Sequence, residues 1–586
     1  MSTSDFSIGI QPLGSRLKHS RSGQSTEAVI RSFMEKCARK PGRQNVQSVR
    51  DVTYQLFREL GLTTIFGNVG STEETFLKNF PGDFRYVLAP QEASVIAIAD
   101  GFAQAARRPV LVNLHTTATA NSMGSLATAF QNKTPLIVTA GQQTREMLLM
   151  EPWLTNVEAA MLPRPWVKWA YEPVRAEDIP AVFMRAVATA LQPPWGPVFL
   201  SLPLGDWEKP CQSPVVVRTV SQRIAPEPSR LADFAKILLE ARSPVLIYGA
   251  SIARGSGWDQ AVAFAEAIDA PVWAAPASER APFPENHPLY SGGLPFAIGP
   301  LSRKLEGHDV ALVVGAPVFR YYPCVAGSYL PDGLRLLHIS DDPAETARAP
   351  VGDSLLGDAV LCLEGLKQFL GDCKPKTTKA RETAAHGMAP HGPGSTRVSN
   401  VGRLTAAQVF RALNEIRPAN TILIEESPSN LPDLHAAWPI TEPDTFYTFA
   451  SGILGWNLPA AVGIALGERD SGRNRPVVAI IGDGSFQYSV QSLWTAAQLR
   501  LPILIVVPRN DEYCILKSFA VLEEAPGVPA LNIPGFDIVS IAKGYGCDAA
   551  RLEDIDAIKK AAVAAWSKSK PTVLEVPISA QVPPLI

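Results

Sequence analysis

The stretch Val477-Val-Ala-Ile-Ile-Gly-Asp-Gly-Ser485 decides how this chain is read. Its five apolar residues are strand-sized, and an unbroken apolar run is what a strand covered on both faces of a parallel sheet requires. The run stops at Gly482-Asp483-Gly484, and helical sequence follows. Glycine lets backbone come close to a phosphate, and Asp483 offers a hard carboxylate oxygen of the kind Mg²⁺ takes together with phosphate oxygens. A second apolar strand, 502–507, ends at Arg509-Asn510-Asp511-Glu512, where the Asn510 amide oxygen extends the ligand set. Gly-Asp-Gly alone is common in turns for conformational reasons. The order strand, Gly-Asp-Gly, helix, apolar strand, Asn is far more specific, and it marks a diphosphate–metal site.

Outward from this segment, short apolar strands alternate with amphipathic helices in three stretches, the pattern of parallel-sheet α/β domains. The first expected domain, 47–215, has strands at 63–67, 109–115, 135–140 and 197–202 and a helix over 92–107. The second, 216–373, has strands at 244–249, 271–275, 310–315 and 334–340. Residues 374–402, with few large apolar side chains, read as a linker. The third domain, 403–586, carries strands at 421–425, 477–481, 502–507 and 572–576. Three similar units suggest duplication, although no repeat is visible in the sequence. In such sheets ligands bind where strand ends face helix starts.

Composition narrows the class. A chain of 586 residues is too long for a single core, and 46% hydrophobic with 19% charged residues is ordinary for a globular enzyme. A net charge of −2 gives no footprint for nucleic acid or an anionic membrane. No apolar run reaches the roughly 20 residues a membrane-spanning helix needs. The seven cysteines have no metal-ligand spacing and form an odd, sparse set, which fits reduced thiols in a cytoplasmic protein. Residues 1–46 are rich in Ser, Lys and Arg, with Asp5, Glu27 and Glu35 as their acids. They read as a disordered extension, since a transit peptide is usually poorer in acids and no secretory apolar core is present.

From about Val46 onward the chain resembles the thiamine-diphosphate-dependent 2-oxo acid decarboxylases, in their benzoylformate decarboxylase branch. The segments that carry the resemblance are Phe66-Gly-Asn-Val-Gly-Ser71, Thr139-Ala-Gly-Gln-Gln-Thr-Arg145, Leu162-Pro-Arg-Pro165, Gly315-Ala-Pro-Val-Phe-Arg320 and Leu493-Trp-Thr-Ala-Ala-Gln498. It implies three α/β domains, thiamine diphosphate and Mg²⁺ as cofactors, a small 2-oxo acid substrate, and active sites between subunits of a homotetramer. Glu92, in Ala89-Pro-Gln-Glu-Ala-Ser94, matches the glutamate that contacts the aminopyrimidine. Gly452 and Leu454 match the segment that bends the cofactor. Asp483 and Asn510, with the backbone carbonyl of Glu512, match the Mg²⁺ ligands, and Gly482, Gly484, Ser485 and Tyr513 complete the cofactor contacts. Ser71 and His115 match the serine and histidine that face the substrate. Taken alone, Glu92 is a helix-start glutamate favoured by the macrodipole, His115 a strand-end packing histidine and Leu454 a core leucine.

The chain departs from the branch at several places. Tyr322 stands where a second active-site histidine is expected, and tyrosine is a far weaker acid at neutral pH. In the expected substrate pocket Thr448 replaces an aromatic residue, Ile515 replaces a small one, Trp153 and Leu431 are enlarged, and Phe519 is kept. Pro428 removes a hydroxyl near the diphosphate. In the metal loop Arg509 replaces Asn and Asp511 replaces Gly, so altered metal affinity or a different backbone shape is expected there. Decarboxylation of an aromatic or branched 2-oxo acid to an aldehyde is the leading reading. A carboligase or lyase of acetolactate-synthase type, or a catalytically degraded cofactor-binding homologue, are the alternatives. A nicotinamide oxidoreductase fits poorly, because no strand-linked Gly-x-Gly-x-x-Gly is present.

Overall fold

The computed structural model describes residues 47–212, 214–371 and 402–585. Contacts within the chain separate Met1–Gln47 from Ser48–Ile586, and every sheet lies in the second unit. The extension expected at 1–46 and the linker expected at 374–402, apart from Gly402, fall outside the described residues.

Each long apolar run forms a buried strand, and every strand pair is parallel. The first sheet holds β1 (Thr64–Gly67), β2 (Arg85–Leu88), β3 (Val110–Leu114), β4 (Leu136–Gln142), β5 (Ala170–Tyr171) and β6 (Val198–Pro203), in the order β2-β1-β3-β4-β6-β5. The second holds β7 (Pro244–Tyr248), β8 (Val272–Ala274), β9 (Tyr290–Gly293), β10 (Val310–Val314), β11 (Arg335–Ser340) and β12 (Asp353–Leu356), in the order β12-β11-β10-β7-β8-β9. The third holds β13 (Ile422–Glu426), β14 (Phe446–Tyr447), β15 (Val477–Ile481), β16 (Ile503–Arg509), β17 (Asp548–Arg551) and β18 (Thr572–Pro577), in the order β14-β13-β15-β16-β18-β17.

The first and third sheets therefore share one strand order, while the central sheet has the other doubly wound order. The expectation of three similar units is corrected to two of one topology and one of another. In the shared order the chain direction switches between β1 and β3, and between β13 and β15. Ligands of open parallel sheets bind at the carboxyl ends of strands at such a switch. The twelve strands expected from sequence are all present, and six more were missed.

The first and third sheets pack through the helices Glu92–Ala106 and Asn457–Asp470. Contact is close enough that a methyl group on Gly463 would overlap the Ile98 carbonyl oxygen. Asp100, fully buried on the first helix, accepts hydrogen bonds from the Trp456 indole (2.8 Å), Asn132 (2.9 Å), Thr134 (2.6 Å) and Gln104 (2.8 Å). Asn132 in turn accepts from the Ala450 amide at 3.0 Å. A buried acid with four donors ties the first sheet's helices to the segment that leads into Gly452. Asp444 joins all three sheets' surroundings by pairing with Arg107 and Arg280, and the Arg280 guanidinium lies 3.9 Å from the centre of the Tyr447 ring. Among the described residues no helix is long and apolar enough to cross a membrane.

Candidate active site

At the β1/β3 switch, the loop after Gly67 meets His115, the residue that follows β3. Nδ1 of His115 lies 3.0 Å from Oε2 of Glu73 and 2.9 Å from the Thr72 hydroxyl. Glu73 is 1% exposed and also accepts from the amides of Gly70 (2.9 Å) and Gly141 (2.8 Å) and from the Thr72 hydroxyl (2.6 Å). Burial raises its carboxyl above the ordinary range, against the hydrogen bonds and the His115 charge that pull it down. Ser71 sits exposed on the same loop. Glu92 opens its helix nearby, buried, with one carboxylate oxygen accepting from Asn68 (3.1 Å) and the other from Asn121 (3.2 Å). The structure thus places Ser71, His115 and Glu92 around the loop after β1. Sequence reading missed Asn68, Thr72, Glu73 and Asn121.

The β13/β15 switch holds the other expected group. A cavity at the carboxyl ends of β13, β15 and β16 is lined by Ser427–Asn430, Leu454, Gly482–Ser485, Pro508, Asn510, Glu512, Tyr513 and Ile515. Gly484 must be glycine, because a side chain there would overlap the Tyr513 ring. Asp483 accepts from the amides of Gly484 (2.9 Å), Asn510 (3.1 Å) and Asp511 (2.7 Å). Burial nevertheless raises its carboxyl, and among the described residues no cationic side chain pairs with it. The Asn510 amide oxygen accepts from the Glu512 amide at 3.1 Å. One buried carboxylate without a cation, one amide and one backbone carbonyl form a hard oxygen set, which fits Mg²⁺ shared with phosphate oxygens.

The altered metal loop is reconciled locally. Asp511 keeps a left-handed φ of +62°, so the backbone shape suited to glycine survives. Its extra carboxylate accepts from Arg509 at 2.7 Å, and Arg509 also pairs with Glu575 at 2.8 Å. The two replacements neutralise each other. Pro428 lines the cavity, as its expected place near the diphosphate requires.

The remaining expected pocket residues are dispersed in this chain. Tyr322, 68% exposed, faces Phe519 with ring centres 4.9 Å apart, so the central region reaches the helix Cys514–Leu522 that carries Ile515. Leu431 begins the helix Leu431–Ala437 just beyond the cavity. The Thr448 hydroxyl donates to the Glu425 carbonyl at 2.8 Å and does not line the cavity. Trp153 is 90% exposed on a loop with Leu149 (96%) and Val157 (66%), away from the cavity lining. Gly452 is exposed with φ +76°. Sequence reading also missed Glu425 and Glu426, adjacent buried acids at the end of β13. Burial raises both carboxyls, that of Glu426 to about 8.

Comparison with known proteins agrees with this arrangement. Three models of the thiamine pyrophosphate enzyme match: the N-terminal TPP binding domain at residues 47–159, the central domain at 231–366, and the C-terminal TPP binding domain at 431–576. Benzoylformate decarboxylase of Pseudomonas aeruginosa is 41% identical over 91% of this chain and 99% of its own. The crystal structure of benzoylformate decarboxylase from Polynucleobacter necessarius superposes with a TM-score of 0.85 at 52% identity, covering 92% of this chain and all of that one. A thiamine diphosphate-dependent 4-hydroxybenzoylformate decarboxylase of Rhodococcus jostii gives 0.84 at 38%, with 92% and 100% covered. A probable acetolactate synthase large subunit of Methanocaldococcus jannaschii is 24% identical over 88% of this chain and 90% of its own. With the diphosphate cradle, the buried glutamate and the histidine at matching switch points, the chain belongs to the thiamine-pyrophosphate-dependent decarboxylase family.

Proposed function

We propose that this enzyme decarboxylates an aromatic 2-oxo acid of the benzoylformate type to an aldehyde and CO₂. The observation that carries the proposal is the Glu73–His115 pair beside Glu92, within a chain 41–52% identical to benzoylformate decarboxylases. When bound, thiamine diphosphate supplies the nucleophilic carbon and the electron sink that loss of CO₂ needs. Asp483, Asn510 and the Glu512 carbonyl would hold Mg²⁺, and Gly482, Gly484, Ser485 and Tyr513 would cradle the diphosphate. Gly452 and Leu454 would lie along the bound cofactor, and Glu92, fixed by Asn68 and Asn121, would hold or release a proton where the aminopyrimidine binds. Ser71 orients the substrate carboxylate, and His115, steadied by Glu73, moves the proton at the reacting carbon. Ile515 in the cavity lining, with Leu431 beside it and Phe519 against Tyr322, offers an apolar wall for a ring, while Thr448 and Trp153 stand apart from it.

In this reading the segments 47–215, 216–373 and 403–586 act as pyrimidine-binding, central and diphosphate-binding domains, and the active unit is a homotetramer in the cytoplasm. The cavity at β13–β16 is lined by third-sheet surroundings alone, whereas the Glu92–His115 group sits at the first sheet. A second copy brings the two halves together, and the exposed Leu149, Trp153 and Val157 are the surface it covers. Tyr322 favours some carboligation, because a weak acid slows protonation of the product-forming carbon.

The test is aldehyde and CO₂ release from benzoylformate, 4-hydroxybenzoylformate, phenylpyruvate, branched 2-oxo acids and pyruvate, with the cofactors supplied and a second aldehyde as acceptor. Turnover of an arylglyoxylate that Glu92→Gln abolishes is the expected result. Turnover of pyruvate alone, or none across the panel with cofactor bound, would overturn it.

A further inference from the structure

Glu426 ends β13 directly beneath the cofactor cavity and is 1% exposed. Its carbonyl accepts from the Gly482 amide at 2.9 Å. One carboxylate oxygen accepts from the Gly455 amide at 2.6 Å, and the other from the Asn457 amide at 2.8 Å. Gly455 is in the left-handed region at φ +98°, and its carbonyl accepts from the Ser489 hydroxyl. One residue therefore grips both walls of the cavity: the turn that follows Leu454 and the loop Gly482–Ser485.

We infer that Glu426 is a positioning residue for the cofactor, fastening the bend-forming turn at Leu454 to the diphosphate loop so that the cavity has its binding shape before any ligand enters. The inference rests on the reading that this cavity takes thiamine diphosphate. Two acceptor oxygens are required at 426 because both backbone partners are donors. Glutamine has the same size but turns an NH₂ toward one of them, which leaves a buried N–H unpaired and releases the turn.

The experiment titrates the cofactor-free full-length protein with thiamine diphosphate at saturating Mg²⁺, followed by quenching of tryptophan fluorescence. Wild type is compared with Glu426→Gln and Glu468→Gln. Glu468 is a buried carboxylate paired with Arg473 and Arg475, so its variant controls for general destabilisation. Glu426→Gln is expected to weaken cofactor affinity by about tenfold or more. At saturating cofactor its KM for the 2-oxo acid stays unchanged, as a residue acting through cofactor placement requires. Glu468→Gln lowers the melting temperature without weakening the cofactor. Wild-type affinity in Glu426→Gln overturns the inference. If Glu426→Gln does not fold, Glu426→Asp, one methylene too short to span both amides, carries the same test. Failure of wild type to bind thiamine diphosphate sinks the functional reading itself, whereas tight binding by wild type and Glu426 variants alike sinks only this one.

Discussion

Glu73 sits 42 positions before His115 in the chain and is nonetheless its nearest carboxylate. Burial has raised this carboxyl, so it takes up a proton at a higher pH than an ordinary glutamate. As pH falls through that raised value, His115 loses the charge that steadies it, and kcat is expected to fall. In Glu73→Gln the charge is absent at every pH. That variant should lose about tenfold to hundredfold in kcat, and its acidic limb should flatten. A pH–rate profile of the two proteins checks this, and a limb that persists in the variant refutes it. The same pair marks the limit of what residues reveal in order. Ser71, Glu92 and His115 were readable because they lie in segments with family spacing. Glu73 was not, because its importance comes from Gly141, Gly70 and His115 converging on it from separate strand ends. Glu426 left a fainter signal, two consecutive acids closing an apolar strand at the same sheet end as Gly-Asp-Gly.

At the scale of elements, the loop after β10 shows how an exposed segment is held from within. Arg320, just before Tyr321 and Tyr322, donates to Glu279 at 2.7 Å and to the Ala277 carbonyl at 2.8 Å, and Arg254 grips the other Glu279 oxygen. Burial opposes ionisation of Glu279, yet the two guanidinium groups hold its carboxyl down to about 2. A lowered acid stabilises the fold above its unfolded value and loses that contribution as pH falls through the folded one. Wild-type stability should therefore decline between about pH 4.5 and about pH 2 through this group. Glu279→Gln should cost about 1.5–3 kcal/mol at neutral pH, by leaving two half-buried guanidinium groups short of a partner, and should remove part of that acid dependence. Chemical denaturation across pH distinguishes the two. Legibility at this scale follows burial. All twelve interior strands were readable, because an apolar run such as Val477–Ile481 is covered on both faces. The six unread strands are the two edges of each sheet: β2, β5, β9, β12, β14 and β17. β5 and β14 have two residues each, β9 contains two glycines, and β17 is half-exposed with charged ends, so none carries a periodic signal.

For the whole molecule, three α/β regions were legible from alternation, but their relationship was not. Strand order depends on which runs become neighbours, and Arg107, Asp444 and Arg280 join regions up to 337 positions apart through polar contacts without sequence pattern. The shared order of the first and third sheets gives each chain two switch-point sites, one bearing Glu92 and His115, the other Asp483 and Asn510. On the proposed reading, in which a second copy completes each site, each chain donates half of one centre and half of another. Two separately inactive proteins, Glu92→Gln and Asp483→Asn, should complement each other when unfolded together and reassembled. A mixed pair contains one centre with both defects and one with neither, so about a quarter of the centres should recover in a random equal mixture. A lesion in this enzyme is thus the property of a pairing, and a dead allele can restore another dead allele.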